Sequence, residues 1–153
     1  MGTKVTFATV RRIARAFPGV MEGTSYGTPA LRVGKKFLAR MREFLAREDA
    51  VVFIAVRADG RACGYVEVGS RPYADGCDTS PVGYIEAWYV HPDERRLGYG
   101  RALLAAADEW GRQRGYREMA SDTQLHNEVS RQAHERSGYR EVDRIIQFRK
   151  VLG

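Results

Sequence analysis

The chain is predicted to fold as one α/β (α+β) domain, a central mixed, mostly antiparallel sheet with helices on both faces. Three observations predict it. β-rich runs at 51–56, 62–70 and 83–90 follow one another through turn signals, which makes a meander. A long helical pattern and a shorter one come after the meander, separated by short strand-like runs, which implies crossover connections. The length, 153 residues with 44% hydrophobic side chains, suits a single core.

Each element has its own pattern. Lys4-Val5-Thr6-Phe7 reads as a short edge strand. Val10, Ile13, Ala14 and Phe17 recur at helical spacing, with Thr9 as a cap and Pro18-Gly19 as a stop. Phe37, Leu38, Met41, Phe44 and Leu45 repeat that spacing, and residues 35–47 read as a second helix with a charged outer face. Val51 to Val56 is a strand stopped by Ala58-Asp59-Gly60, a hairpin signal, and Ala62 to Ser70 returns. Arg71 to Pro81 is a loop, and Gly83 to Val90 is the third strand of the meander. A long helix runs from about Gly100 to Arg114, with Leu103, Leu104, Ala107 and Trp110 on one side. Glu118 to Ser121 is a short strand, Asn127 to Arg136 a short helix, and Tyr139 to Val151 a closing strand carrying Val142, Ile146 and Phe148.

Composition narrows the function. The formal net charge is +6 and the isoelectric point about 9.6, a balance that suits nucleic acid, an anionic surface or a phosphate-bearing ligand. Acids gather locally at Asp75, Asp78 and Glu86, so one end of the surface suits a cation. No apolar run has the length of a membrane span, and the first residues lack a secretion signal, so a cytoplasmic location is expected. Cys63 and Cys77 are expected to be free thiols. No Cys/His spacing suggests a metal.

The richest stretch is Arg95-Arg96-Leu97-Gly98-Tyr99-Gly100, between the Val82–Val90 strand and the long helix. Two glycines let successive N–H groups point at one anion. The helix start adds a partial positive charge, and Arg95, Arg96 and Arg101 add full ones. The six residues alone read equally well as a diphosphate cradle or as a glycine-rich helix entrance with a solvated basic face.

Here the chain resembles the GCN5-related N-acetyltransferase (GNAT) superfamily, whose acetyl-CoA motif is Arg/Gln-x-x-Gly-x-Gly/Ala. The superfamily's later pattern also appears, as Asn127, Ala133, His134, Gly138 and Tyr139. A narrower resemblance, to aminoglycoside 6'-N-acetyltransferases, covers roughly residues 50–150. It rests on Gly76-Cys77-Asp78-Thr79-Ser80-Pro81, Ile85-Glu86-Ala87-Trp88-Tyr89-Val90, Glu118-Met119-Ala120-Ser121-Asp122-Thr123 and Gly138 to Arg144 with Phe148-Arg149-Lys150. Residues 1–49 fit that family poorly. Thr9 to Met41 looks instead like the start of MmcQ/YjbR-like proteins, in which Ala30 to Met41 would be a hairpin, whereas the spacing of Phe37, Met41 and Phe44 favours a helix. Residues 1–153 are therefore expected to form one acetyltransferase domain, with 1–49 atypical and 50–153 carrying the acetyl-CoA and substrate core.

The resemblance implies acetyl transfer from acetyl-CoA to the 6'-amine of an aminoglycoside, no metal, and a homodimer that binds neither nucleic acid nor membrane. Trp88, Tyr89 and Val90 would pair through their backbone with the pantetheine arm, Arg95, Arg96, Leu97, Gly98, Tyr99, Gly100 and Arg101 would hold the pyrophosphate, and Asn127 the pantetheine. Asp122 would contact the reacting amine, and it reads equally as the N-cap of the next helix. Glu86, read alone, favours the solvent face of its strand; the resemblance turns it into the cleft, to bind the amine or a relaying water. His134 would protonate the departing thiolate, or is simply a surface histidine. Tyr73 and Asp143 would meet the drug, and Phe17 in Phe17-Pro18-Gly19 would replace the family's usual Trp. Acetylation of another amine, such as a polyamine or a protein N-terminus, and a non-catalytic basic binding module are the competing readings.

Overall fold

The computed structural model describes residues 35–153. Phe17 and the other features expected before residue 35, including the edge strand and the first helix, lie outside the described residues. Four strands form one sheet in the order β1 (Ala50–Val56), β2 (Ala62–Arg71), β3 (Val82–Val90) and β4 (Met119–Ser121). β1 to β3 pair antiparallel, and β4 joins β3 in parallel, so the sheet is mixed and mostly antiparallel. Among the described residues three α-helices accompany it: α1 (Lys35–Ala46), α2 (Tyr99–Gln113) and α3 (Glu128–Arg136). The helix expected over 35–47 is present, and the hairpin of the alternative family is absent from residues 35–46.

Alternation along β1 explains why the helices divide between two faces. Val51, Phe53 and Ala55 pack with Val66, Val68, Ile85 and the α2 residues Leu103, Leu104 and Ala107. Val52 and Ile54 point the other way and pack with Met41 and Phe44 of α1. The buried α2 positions, Leu103, Leu104, Ala107 and Gly111, are those of a single helical stripe. Gly100 lets the first turn of α2 lie on the sheet, because a Cβ there would stand 2.9 Å from the Trp88 ring.

A bulge interrupts the β2–β3 pairing. Glu67 pairs with Ala87 and Val68 with Ile85, so Glu86 is the extra residue with no cross-strand partner. Ile85 and Trp88 consequently both face the α2 core, three residues apart, where strict alternation would oppose them.

The closing strand expected from Tyr139 to Val151 is not formed. Residues 140–153 join no sheet, and Ile145, Ile146, Phe148, Val151 and Leu152 are exposed. The sequence carries a strand's composition there, but a strand needs a ladder to pair with. Tyr139 itself is anchored: its hydroxyl donates to Asp108 Oδ1 of α2 at 2.6 Å.

Leu104 is fully buried at the centre of the larger core. Leu104→Ala is expected to cost roughly 2–5 kcal/mol of stability, read as a lower urea midpoint at an unchanged slope. A midpoint equal to that of the unaltered chain would remove Leu104 from the core.

Candidate active site

The β3–β4 ladder is short. It pairs Gly83, Tyr84 and Ile85 with Met119, Ala120 and Ser121, and ends there. Beyond Ile85, from Glu86 through Trp88 and Tyr89 to Val90, that side of β3 has no strand partner among the described residues. The β4 ladder thus leaves the rest of that β3 edge uncovered by β4, with different chemistry along its length.

The end past Val90 is basic. Pro92–Glu94 forms one turn, and the run Arg95–Gly98 leads into α2. Arg96 has φ of +64° and Gly98 has φ of +90°, two left-handed positions two residues apart. Left-handed positions of this kind are the backbone pattern that can gather N–H groups around an anion. Gly98 caps α2 without any side-chain hydrogen bond, so the first-turn amides of Tyr99, Gly100 and Arg101 meet no capping side chain. Arg95, Arg96, Leu97 and Arg101 are exposed around it, and Arg95 Nε donates to the Val90 carbonyl at 3.2 Å. The residues fit a diphosphate: uncapped amides at a helix N-terminus, two left-handed backbone positions and exposed guanidinium groups follow one another along the chain.

The middle of the strand, where the β4 ladder ends, carries the acids. Asp122 follows β4 directly, and Tyr84 Oη donates to its Oδ1 at 2.6 Å. Burial and that bond push the Tyr84 phenol well above its ordinary pKa, so it remains a donor. Glu86, turned by the bulge, is held through both oxygens by Arg71, at 3.0 and 2.6 Å. The Arg71 guanidinium carbon lies 3.4 Å from the centre of the Tyr84 ring. Glu67 lies on the face shared with α1, 2% exposed, and Arg40 reaches it at 3.1 Å. Burial pushes the Glu67 carboxyl up, against the pull of Arg40.

Asn127, not Asp122, caps α3, its Oδ1 accepting from Ser130 N at 3.2 Å. Asp122 is thereby left to the cleft. His134 is no simple surface histidine. Its ring is half-buried and edge-on to Trp88 and Tyr139. Nδ1 lies 2.8 Å from the Ser130 carbonyl and Nε2 lies 2.9 Å from Ser121 Oγ. The neutral ring satisfies both by carrying its proton on Nδ1 and accepting from the serine. His134 thus stands one residue from Asp122 along β4.

Tyr73 and Asp143 come together at the outer rim. Tyr73 is exposed and donates to Asp75, and the nearby charge of Asp143 adds to the rise in its pKa. Val142 packs on Gly76, which brings the start of the tail onto the loop before β3. That loop is pinned by Glu118, whose Oε2 accepts from Thr79 N at 2.7 Å and Asp78 N at 3.0 Å. Trp88 is chiefly a core residue, and Tyr89 faces the opposite side, against Tyr65.

Sequence reasoning missed Arg71, Tyr84 and Glu67. A buried acid inside Tyr65-Val66-Glu67-Val68 is a visible anomaly, since an apolar strand tolerates a carboxylate only beside a partner. Nothing local marks Arg71 or Tyr84, whose roles arise from pairing across the sheet.

An exposed basic helix start and a pair of carboxylates along one strand edge have the chemistry that a two-substrate group-transfer site would need for a phosphate-bearing donor and a cationic acceptor. The model of the acetyltransferase (GNAT) family matches residues 21–139. An aminoglycoside N(6')-acetyltransferase type 1 of Klebsiella aerogenes is 46% identical over 117 residues, covering 74% of this chain and 77% of that protein. Its counterpart in Stenotrophomonas maltophilia is 41% identical over 75% and 76% of the two chains. Among solved structures, an aminoglycoside 6'-N-acetyltransferase of Acinetobacter baumannii superposes with a TM-score of 0.72 at 30% identity, over 78% of this chain and 82% of that one. AAC(6')-Iy, bound to a bisubstrate analogue of CoA and acetylneamine, gives a TM-score of 0.73 at 34% identity, over 91% and 86%. The chain belongs to the GNAT acetyltransferase family.

Glu118 supplies a pH test of the loop. The Thr79 side chain and the two backbone amides hold its carboxyl below the ordinary carboxylate pKa. A depressed folded-state value makes these bonds complete above the unfolded value, about 4.3, and weakens them as pH falls through the lower one. Amide exchange at Asp78 and Thr79 is expected to quicken at least about fivefold in Glu118→Gln at neutral pH, relative to the unaltered chain. Equal exchange in the two proteins would show that Glu118 does not pin the loop.

Proposed function

We propose that this chain is an aminoglycoside 6'-N-acetyltransferase, moving an acetyl group directly from acetyl-CoA to the 6'-amine of the drug and so conferring resistance to it. The observation that carries the reading is the charge division of the cleft. The Arg95–Arg101 cradle lies past the Val90 end of β3, and Glu86 and Asp122 stand level with the middle of the strand, where the β4 ladder ends. Close relatives named for this reaction support it.

The residues divide the work as follows. The cradle, with Arg95, Arg96 and Arg101, holds the pyrophosphate of the donor, and Asn127 steadies its pantetheine arm. The backbone edge from Trp88 to Val90 pairs with that arm and offers N–H groups to the thioester oxygen as negative charge grows there. Glu86 and Asp122 bind the acceptor ammonium. A bound ammonium has no lone pair, so its proton leaves through a carboxylate or a water held by one before nitrogen attacks. The new N–C bond forms and the C–S bond breaks; the proton given up by the amine loads Nε2 of His134, which passes one through Ser121 Oγ to the departing thiolate. Serine-bound Nε2 makes His134 reachable from the cleft at Ser121. Tyr73 and Asp143 meet the outer rings of the sugar, and Phe17 lines the drug site from the N-terminal segment.

The working unit is a homodimer, paired through the C-terminal segment. Exposed Ile146 and Phe148 on a segment without a strand partner support this. The reaction belongs to the cytoplasm, where Cys63 and Cys77 persist as free thiols.

Kanamycin and tobramycin are expected to release CoA thiol from acetyl-CoA, in an assay panel that also holds spermidine and an N-terminal peptide. Turnover of spermidine alone would replace the drug with a polyamine. Asp122→Asn is expected to lower kcat by about 100-fold or more; unchanged turnover would remove Asp122 from the chemistry. Light scattering at tens of micromolar is expected to give twice the chain mass, and a truncation after Tyr139 half of that. A monomer in the untruncated protein would end the dimer reading.

A further inference from the structure

Arg71 makes the contacts that an acceptor ammonium would seek. It binds Glu86 through two parallel hydrogen bonds, at 3.0 and 2.6 Å. Its guanidinium covers the Tyr84 ring at 3.4 Å, and that ring's hydroxyl is tied to Asp122. One cation thus meets a carboxylate, an aromatic face and, through that face, a second carboxylate. A cation–π stack and a charge-assisted bidentate pair are the strongest ordinary ways to hold positive charge.

Two ion pairs occupy this region, and burial separates their roles. Arg40 pairs with Glu67, whose side chain is 2% exposed. Opening that pair strands a carboxylate in the interior, which is costly, so it is a fixed element. Arg71 and Glu86 are 40% and 20% exposed. Opening them returns Arg71 to solvent, while a replacement cation can take over Glu86. Only the second pair can exchange partners cheaply.

We infer that Arg71 is a specificity-determining residue, an internal cation that occupies Glu86 until a polycationic acceptor displaces it. The inference rests on the reading that Glu86 and Asp122 receive the acceptor amine. A tethered guanidinium competes at high effective concentration. A single ammonium exchanges one contact for two and loses. A polycation places one ammonium on Glu86 and others on neighbouring acids, and wins. Arg71 therefore sets a threshold on acceptor charge, and excludes monoamines without any steric gate. Its distance from the cofactor end keeps the two functions apart. The Arg71 guanidinium grips Glu86, four residues before Val90 and the cradle that follows it, roughly 13 Å along the strand.

Calorimetry and steady-state kinetics on Arg71→Gln and Arg71→Lys test this, with acetyl-CoA affinity as the control. Arg71→Gln is expected to bind kanamycin about tenfold tighter and to lower its KM more than it changes kcat. The preference for kanamycin over glucosamine, a monoamine, in kcat/KM is expected to fall about tenfold. Arg71→Lys keeps the charge but loses the fork, and is expected to lie between the two. The affinity for acetyl-CoA stays within twofold throughout. Kanamycin bound no tighter, or more weakly, by Arg71→Gln overturns the inference and makes Arg71 a support for Glu86. Should Arg71→Gln fail to fold, Arg71→Lys decides alone: an unchanged kanamycin affinity overturns the inference. If the unaltered chain acetylates only spermidine, the drug reading has failed, and the same comparison with spermidine decides the role of Arg71 independently.

Discussion

The parallel ladder between β3 and β4 runs for three residue pairs, Gly83–Ile85 against Met119–Ser121, and stops. Everything at the site follows from that short pairing. Were the ladder to continue, β4 would cover the edge from Glu86 to Val90 and no cleft would open. Because it ends, Ser121 and Asp122 stand beside the point where the β3 edge becomes available. Gly83 permits the close approach at the start of the ladder, since a Cβ there would stand 2.3 Å from Met119 Sδ. The bulge at Glu86 falls one residue past the last ladder pair. A strand that loses its partner and gains an extra residue at the same place re-aims a carboxylate into the opening.

The electrostatics are organised along β3. A net charge of +6 would repel a cationic acceptor if it were spread evenly. Instead the cradle arginines stand exposed around the uncapped start of α2. Level with the middle of β3, Arg71 and Arg40 are each committed to a carboxylate. The basic surplus serves the anionic substrate, and the acids are balanced internally by cations that differ in how readily they let go. Buried Glu67 keeps its partner, and the half-exposed Glu86 is positioned to exchange.

His134 joins the two ends. Asn127 caps α3 and fixes its start, and the helix carries His134 back to Ser121 at the end of β4 and edge-on to Trp88 of β3. Tyr139 then binds Asp108 of α2. A few side-chain bonds thus set α3 across the cleft mouth where the two strands part. A shift of α3 would move the histidine, the serine and the entry to Asp122 together.

Much of this was legible in the sequence, for local reasons. The meander, α1, α2 and α3 follow from periodicity and turn residues, which depend on neighbours within a few positions. The need for glycine at Gly98 was legible, and its φ of +90° bears that out; the six residues alone did not separate a cradle from a glycine-rich helix entrance. The sequence by itself determined the helical and strand elements from Lys35 to Arg136. Only the tertiary structure decided which acid does what. The bulge that turns Glu86 depends on the register of β2 against β3. The Asp122 bond to Tyr84 spans 38 residues, and the Arg71 grip on Glu86 spans 15. The fate of residues 140–153 was likewise decided there: the strand pattern is local, but a strand exists only where a ladder receives it. Periodicity fixes which way a side chain faces within its own element, whereas these contacts arise from the register between elements.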